Sequence, residues 1–143
     1  MRYYVNIEEI ENKIVEKLKG KLTDLLVDSF PEKPQDFVFT HPKGAVLVHY
    51  QGGSYGNIES VGAIFQNKKM EFALTIVTRS LRTKNSGAYA LLEEIKSILT
   101  GFQTDGCSKM SPTKEGFLTE NNGIWQYTIN FEFTTPSIES EDE

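Results

Sequence analysis

Any chemistry in this chain would have to come from very few side chains. His41 and His49 are the only histidines, and Cys107 is the only cysteine. An imidazole can act as a general base or a metal ligand, and a thiolate can act as a nucleophile, but each needs partners. The histidines are a strand's length apart with no carboxylate pair nearby to complete a metal site. His41 lies at a turn before Pro42-Lys43-Gly44, and His49 should share a strand face with Ala45 and Leu47, so an ordinary structural role is expected for both. Cys107 has no histidine at a recognisable spacing and reads as a small buried apolar group.

The acids are no more suggestive. Glu93-Glu94 and Glu8-Glu9-Glu11 fall within helical patterns, where adjacent residues do not face one another and acids near a helix start are favoured by its dipole. Gly52-Gly53-Ser54-Tyr55-Gly56 has the outline of a phosphate-cradling loop. It lacks the following lysine and helix, however, so a flexible hairpin-like loop is expected. Arg79, Arg82 and Lys84 form the one compact basic patch, which leaves two readings open: solvated cations, or contacts to an acidic partner surface. No catalytic residue, cofactor or metal site is assigned.

Composition narrows the classes further. The chain has 143 residues, 38% hydrophobic and 24% charged, as a globular domain with one core requires. Four acids and no base occupy the last eight residues, so the rest of the chain sits one charge below neutral out of a net −5. A near-neutral body argues against nucleic-acid binding, which draws its affinity from clustered Lys and Arg. No apolar run approaches the roughly 20 residues that span a bilayer, and the first residues lack the apolar stretch of a secretory signal, so a cytoplasmic protein is expected. A single cysteine also permits no intrachain disulfide.

The elements that would position these residues are legible in the apolar spacing. Ile7, Ile10, Ile14, Leu18, Leu22 and Leu25 form one helical stripe, with Asn6 and Glu9 arranged as a capping pair and Pro31 as the limit. A second stripe begins near Asn85-Ser86, runs through Ala88, Leu91, Leu92, Ile95, Ile98 and Leu99, and ends at Gly101. Residues 45–50, 71–78 and 124–133 read as strands, the first covered on both faces. In the last, Trp125, Tyr127, Ile129, Phe131 and Phe133 alternate with polar residues. Residues 107–118 suggest an irregular edge strand joined to it through Glu120-Asn121-Asn122-Gly123.

The order helix, strand, strand, helix, strand, strand predicts an α+β domain over 1–135. Its sheet would be mostly antiparallel and four-stranded, with both helices packed on one face. Residues 51–69 are left as a long connection with apolar residues, and 136–143 as an acidic, disordered tail.

Taken in order, several stretches resemble a known family. They are His41-Pro42-Lys43-Gly44-Ala45-Val46-Leu47-Val48 with Tyr50 and Gly52-Gly53-Ser54-Tyr55; Phe72 to Val77; Arg79-Ser80-Leu81-Arg82; Gly87-Ala88-Tyr89-Ala90-Leu91-Leu92; Leu99-Thr100-Gly101-Phe102; and Trp125-Gln126-Tyr127. They resemble the small tail-assembly protein family of Mu-like phages and prophages, which is tail terminator-like. The likeness runs from the first helix to about Phe133. This chain departs from it in the acidic extension and in the longer segment between Tyr55 and Met70.

The resemblance implies a structural protein, not an enzyme: a subunit of a hexameric ring that caps the head-proximal end of a tail tube, halts its polymerisation and offers a docking surface for the head connector. Its partners would be further copies of itself, the tail tube protein, and sheath and head-connector proteins, with DNA only as passing cargo and no membrane. It would be found in the host cytoplasm during assembly and then in the virion or tail-like particle. Gly52, Gly53, Ser54, Tyr55, Arg79, Arg82 and Lys84 would then reach neighbouring subunits or the tube. A transient assembly adaptor, or a small hydrolase or nuclease using His41 or His49, are the alternatives.

Overall fold

The computed structural model describes residues 6–59 and 62–138. Helix α1, Ile7–Lys21, starts where the cap spacing places it: the Asn6 side chain accepts the Glu9 backbone N–H at 3.1 Å. Its buried stripe is Ile10, Ile14, Val15 and Leu18. Replacing Asn6 with alanine leaves that N–H without its acceptor and is expected to cost about 1 kcal/mol, measurable by denaturant unfolding.

The helix ends at Lys21, one turn earlier than the apolar stripe suggests. Residues Leu26–Ser29 instead form strand β1, which pairs in parallel with the start of β2, Gly44–Tyr55. Strands β3, Phe65–Thr78, β4, Ser111–Asn121, and β5, Ile124–Ile138, complete the sheet, with helix α2, Ala88–Leu99, between β3 and β4. The strand order is β1-β2-β3-β5-β4. The sheet is therefore five-stranded and mixed, where four mostly antiparallel strands were expected. Three of its four pairings are antiparallel. Leu22 and Leu25 carry helical spacing, but both pack on the core from the turn that feeds β1.

One face of the sheet meets both helices. Val46 and Val48 of β2, Met70, Phe72, Leu74 and Ile76 of β3, and Ile129, Phe131 and Phe133 of β5 join the buried faces of α1 and α2 in a single cluster. On the other face, Ala45, Leu47, Ala73, Thr75 and Val77 are also buried. Because β1 and β2 are parallel, residues 30–43 must carry the chain back along the sheet, and they cross this second face. Phe30 meets the His49 ring edge-on at 5.3 Å, and the Arg79 guanidinium lies over Phe39 at 4.5 Å. That crossing explains why Ala45 to Val48 are apolar on successive positions.

The β4–β5 turn is tight, with Asn122 at φ 52° and Gly123 at φ 82°, as a two-residue hairpin connection requires. β5 runs through Ile138, so Pro136, assigned by sequence to the acidic tail, stands opposite Asn67 of β3. Residues 139–143, the rest of that tail, lie outside the described residues.

Candidate assembly surfaces

The segment read as a glycine-rich loop is strand. Gly52, Gly53, Ser54 and Tyr55 pair with Glu71, Met70, Lys69 and Lys68, after a bulge at Gln51 that shifts the register. With Thr134 to Ile138 on the other side of β3, they form a three-stranded arm. Gly53 sits in close quarters: a Cβ there would lie 3.0 Å from the Lys69 carbonyl oxygen and 2.6 Å from the Tyr50 hydroxyl. Lys68 lies over the rings of Tyr50 and Tyr55, at 5.8 and 5.2 Å. Towards the tip, Tyr55, Ile58 and Ile138 are exposed. Periodicity missed the arm because, beyond Met70, its residues are mostly glycine, polar or charged and carry no apolar alternation.

The basic connection is split by the sheet. Arg79 turns to the second face, stacking on Phe39 and donating to the His41 carbonyl at 3.4 Å. Arg82 turns to the helix side, with its guanidinium 5.6 Å from the Tyr89 ring. Lys84 is exposed. Between them the backbone is closely tied, the Thr78 hydroxyl donating to the Ser80 carbonyl and the Thr83 hydroxyl to the Ser80 oxygen. The Ser80 and Leu81 carbonyls accept the N–H groups of Ala88 and Tyr89 at 2.9 and 3.1 Å. These bonds place the start of α2 at Ala88 rather than near Asn85.

Beyond α2 the rings continue. Tyr89 meets Tyr127 edge-on at 6.3 Å, and Phe117 meets Tyr127 and Trp125 at 5.8 and 6.0 Å. Burial pushes the Tyr127 hydroxyl above the ordinary tyrosine range, Tyr89 adds to the rise, and Arg82 opposes it.

The groups able to do acid–base or metal chemistry do not gather into one site among the described residues. His41 Nδ1 accepts the backbone N–H groups of Lys43 and Gly44, closing the turn before β2. The ring of His49 packs on Phe30 with its Nδ1 buried and without a hydrogen-bond partner among the described residues, and Cys107 is buried. Lys96 bonds Glu93 at 2.9 Å and Glu115 at 3.0 Å, and these two bonds raise its pKa. Among the described residues no three His, Cys, Asp or Glu side chains gather as a metal site would require. Among them, too, no helix is long and apolar enough to cross a membrane. A cleft of about 500 Å³ beside the start of α1 is lined by Asn6, Glu9, Lys13, Phe102 and their neighbours, without a histidine or cysteine.

Fold and surface together define a two-layer α+β domain whose prominent features are a strand arm, grouped aromatic rings and cations on separate faces. Residues 14–143 match the family model of the Gp37 protein, and the chain belongs to that family. Its fold is similar to that of a chain in a solved structure, the virion of a native gene transfer agent particle. The TM-score is 0.58 and the identity 10%, over 94% of this chain and 100% of that one. At that identity the likeness is one of fold. No curated protein matches the sequence.

Proposed function

We propose that this protein is a structural subunit of a phage-like particle, a tail terminator that forms a ring on the head-proximal end of the tail tube. The observation that carries the reading is the fold likeness to a virion chain across that chain's whole length. Membership of the Gp37 family and the projecting arm are consistent with it.

In this reading the ring stops polymerisation of the tube and presents a docking surface to the head connector. Gly52 to Tyr55 reach a neighbouring subunit or the tube, as do Arg79, Arg82 and Lys84. A ring needs two different complementary surfaces on each subunit, because a head-to-tail contact must repeat until it closes. The partners are further copies, hexameric by resemblance, with the tail tube protein and the sheath and head-connector proteins. DNA passes through as cargo, and no catalysis, cofactor or membrane is involved. Assembly takes place in the host cytoplasm before incorporation into the particle.

Mass measurement of the purified protein with and without tail tubes tests this. A ring alone or on tubes is expected, and a strict monomer that never associates with tubes would overturn it. Mass spectrometry of purified particles should find the protein at ring stoichiometry; its absence would make it a transient adaptor instead.

A further inference from the structure

The helices do not roof the whole sheet. α2 packs on β3 and β5, leaving β4 outside, exposed along nearly all of its length. Eleven residues of edge strand extend roughly 36 Å, long enough for a protein interface. On the helix side of this edge Phe117 is 57% exposed and Tyr89 45%, with Trp125 and Tyr127 half-buried beside them. Clustered Tyr, Trp and Phe next to an arginine is the composition of an interface centre.

The charges say what would sit there. The acids of this edge are engaged within the chain: Glu115 pairs with Lys96, and Glu120 accepts the Gly123 N–H at 2.8 Å. The arginine is not. Arg82 makes no ion pair among the described residues, so it stands beside the apolar rings as a positive charge with no acid paired to it. The opposite edge of the sheet is its complement. There Glu8 and Glu11 of α1 lie near Asp28 of β1, again without a paired cation among the described residues, and Ile7 and Leu26 are more than a third exposed. Burial holds the Glu11 carboxyl above the usual carboxylate range; its bond to Ser29 opposes this, while Glu8 and Asp28 add to it.

We propose that the aromatic ledge of β4 and β5, with Arg82, docks the acidic α1–β1 edge of a second copy of this chain. The two surfaces stand at opposite ends of the strand order, so the contact is head-to-tail and repeats. This inference rests on the ring reading and names its subunit contact.

The test uses full-length protein and native mass spectrometry with sedimentation. Arg82→Glu, Asp28→Lys and Phe117→Ser, all at exposed positions, should each weaken self-association at least tenfold while thermal unfolding stays near that of the wild type. Mixing the Arg82→Glu and Asp28→Lys proteins should restore assembly, because every contact in an alternating ring then pairs opposite charges; rescue also excludes misfolding as the cause. If the wild type assembles and all three variants assemble within twofold of it, the contact assigned here is wrong while the ring stands. Loss in the single variants without rescue in the mixture also overturns the pairing. A wild type that is monomeric with and without tubes sinks both.

Discussion

Replacing Phe72 with alanine is expected to lower the unfolding free energy by about 3–5 kcal/mol, the usual cost of emptying an aromatic core position. Phe72 is fully buried at the middle of the central strand β3. Its ring stacks on Phe133 of β5 at 6.0 Å and meets Tyr50 of β2 at 5.3 Å. Truncation therefore removes contacts to both neighbouring strands at once, and the rigid sheet backbone cannot collapse to fill the space. A domain of this kind holds only about 5–15 kcal/mol in all, so the variant should unfold at a far lower urea concentration. Phe72→Leu keeps most of the volume and should lose much less. An alanine variant within 1 kcal/mol of the wild type would mean that the core is not centred on this ring.

Gly87→Ala is expected to cost about 1–3 kcal/mol, although alanine is the better helix former elsewhere. Gly87 precedes α2 with an ordinary φ of −75°, so backbone strain is not the reason. The reason is space: an added Cβ would lie 2.6 Å from the Leu81 carbonyl oxygen and 2.7 Å from the Thr83 nitrogen. Both are backbone atoms of the turn that caps the helix, so the turn must move away. Its movement would disturb the bonds from Ala88 and Tyr89 to Ser80 and Leu81, and would shift Arg82 off Tyr89. Chemical denaturation and the amide exchange of Ala88 and Tyr89 report the two effects separately. Unchanged exchange there would show that the approach is looser than described.

The same glycine shows where reading the sequence stops. Gly87 lies inside one of the family-like stretches, yet nothing in its neighbours reveals that Leu81 and Thr83 press against it, because the contact is made by backbone brought round in a turn. The Arg79–Lys84 connection behaves likewise. As sequence it is one basic patch, whereas in space Arg79 and Arg82 face opposite sides of the sheet. Phe117 could be seen as an aromatic in a weak strand, but its company with Trp125, Tyr127 and Tyr89 depends on a hairpin register and a helix position.

What the sequence determined by itself is what depends on local spacing. The α1 cap at Asn6, the apolar faces of both helices, the alternating face of β5 and the Asn122-Gly123 turn all follow from side-chain period and backbone preference within a few residues. Only the tertiary structure decided the rest. Leu26–Ser29 is a strand because Ala45 to Val48 stand ready to pair with it, and Gly52 to Tyr55 are strand because Lys68 to Glu71 lie opposite. Backbone hydrogen bonds between strands join residues distant in sequence and are nearly indifferent to side-chain type. A short edge strand and a polar, glycine-containing arm therefore leave little trace in the order of residues, and proposed assembly surfaces are built on both.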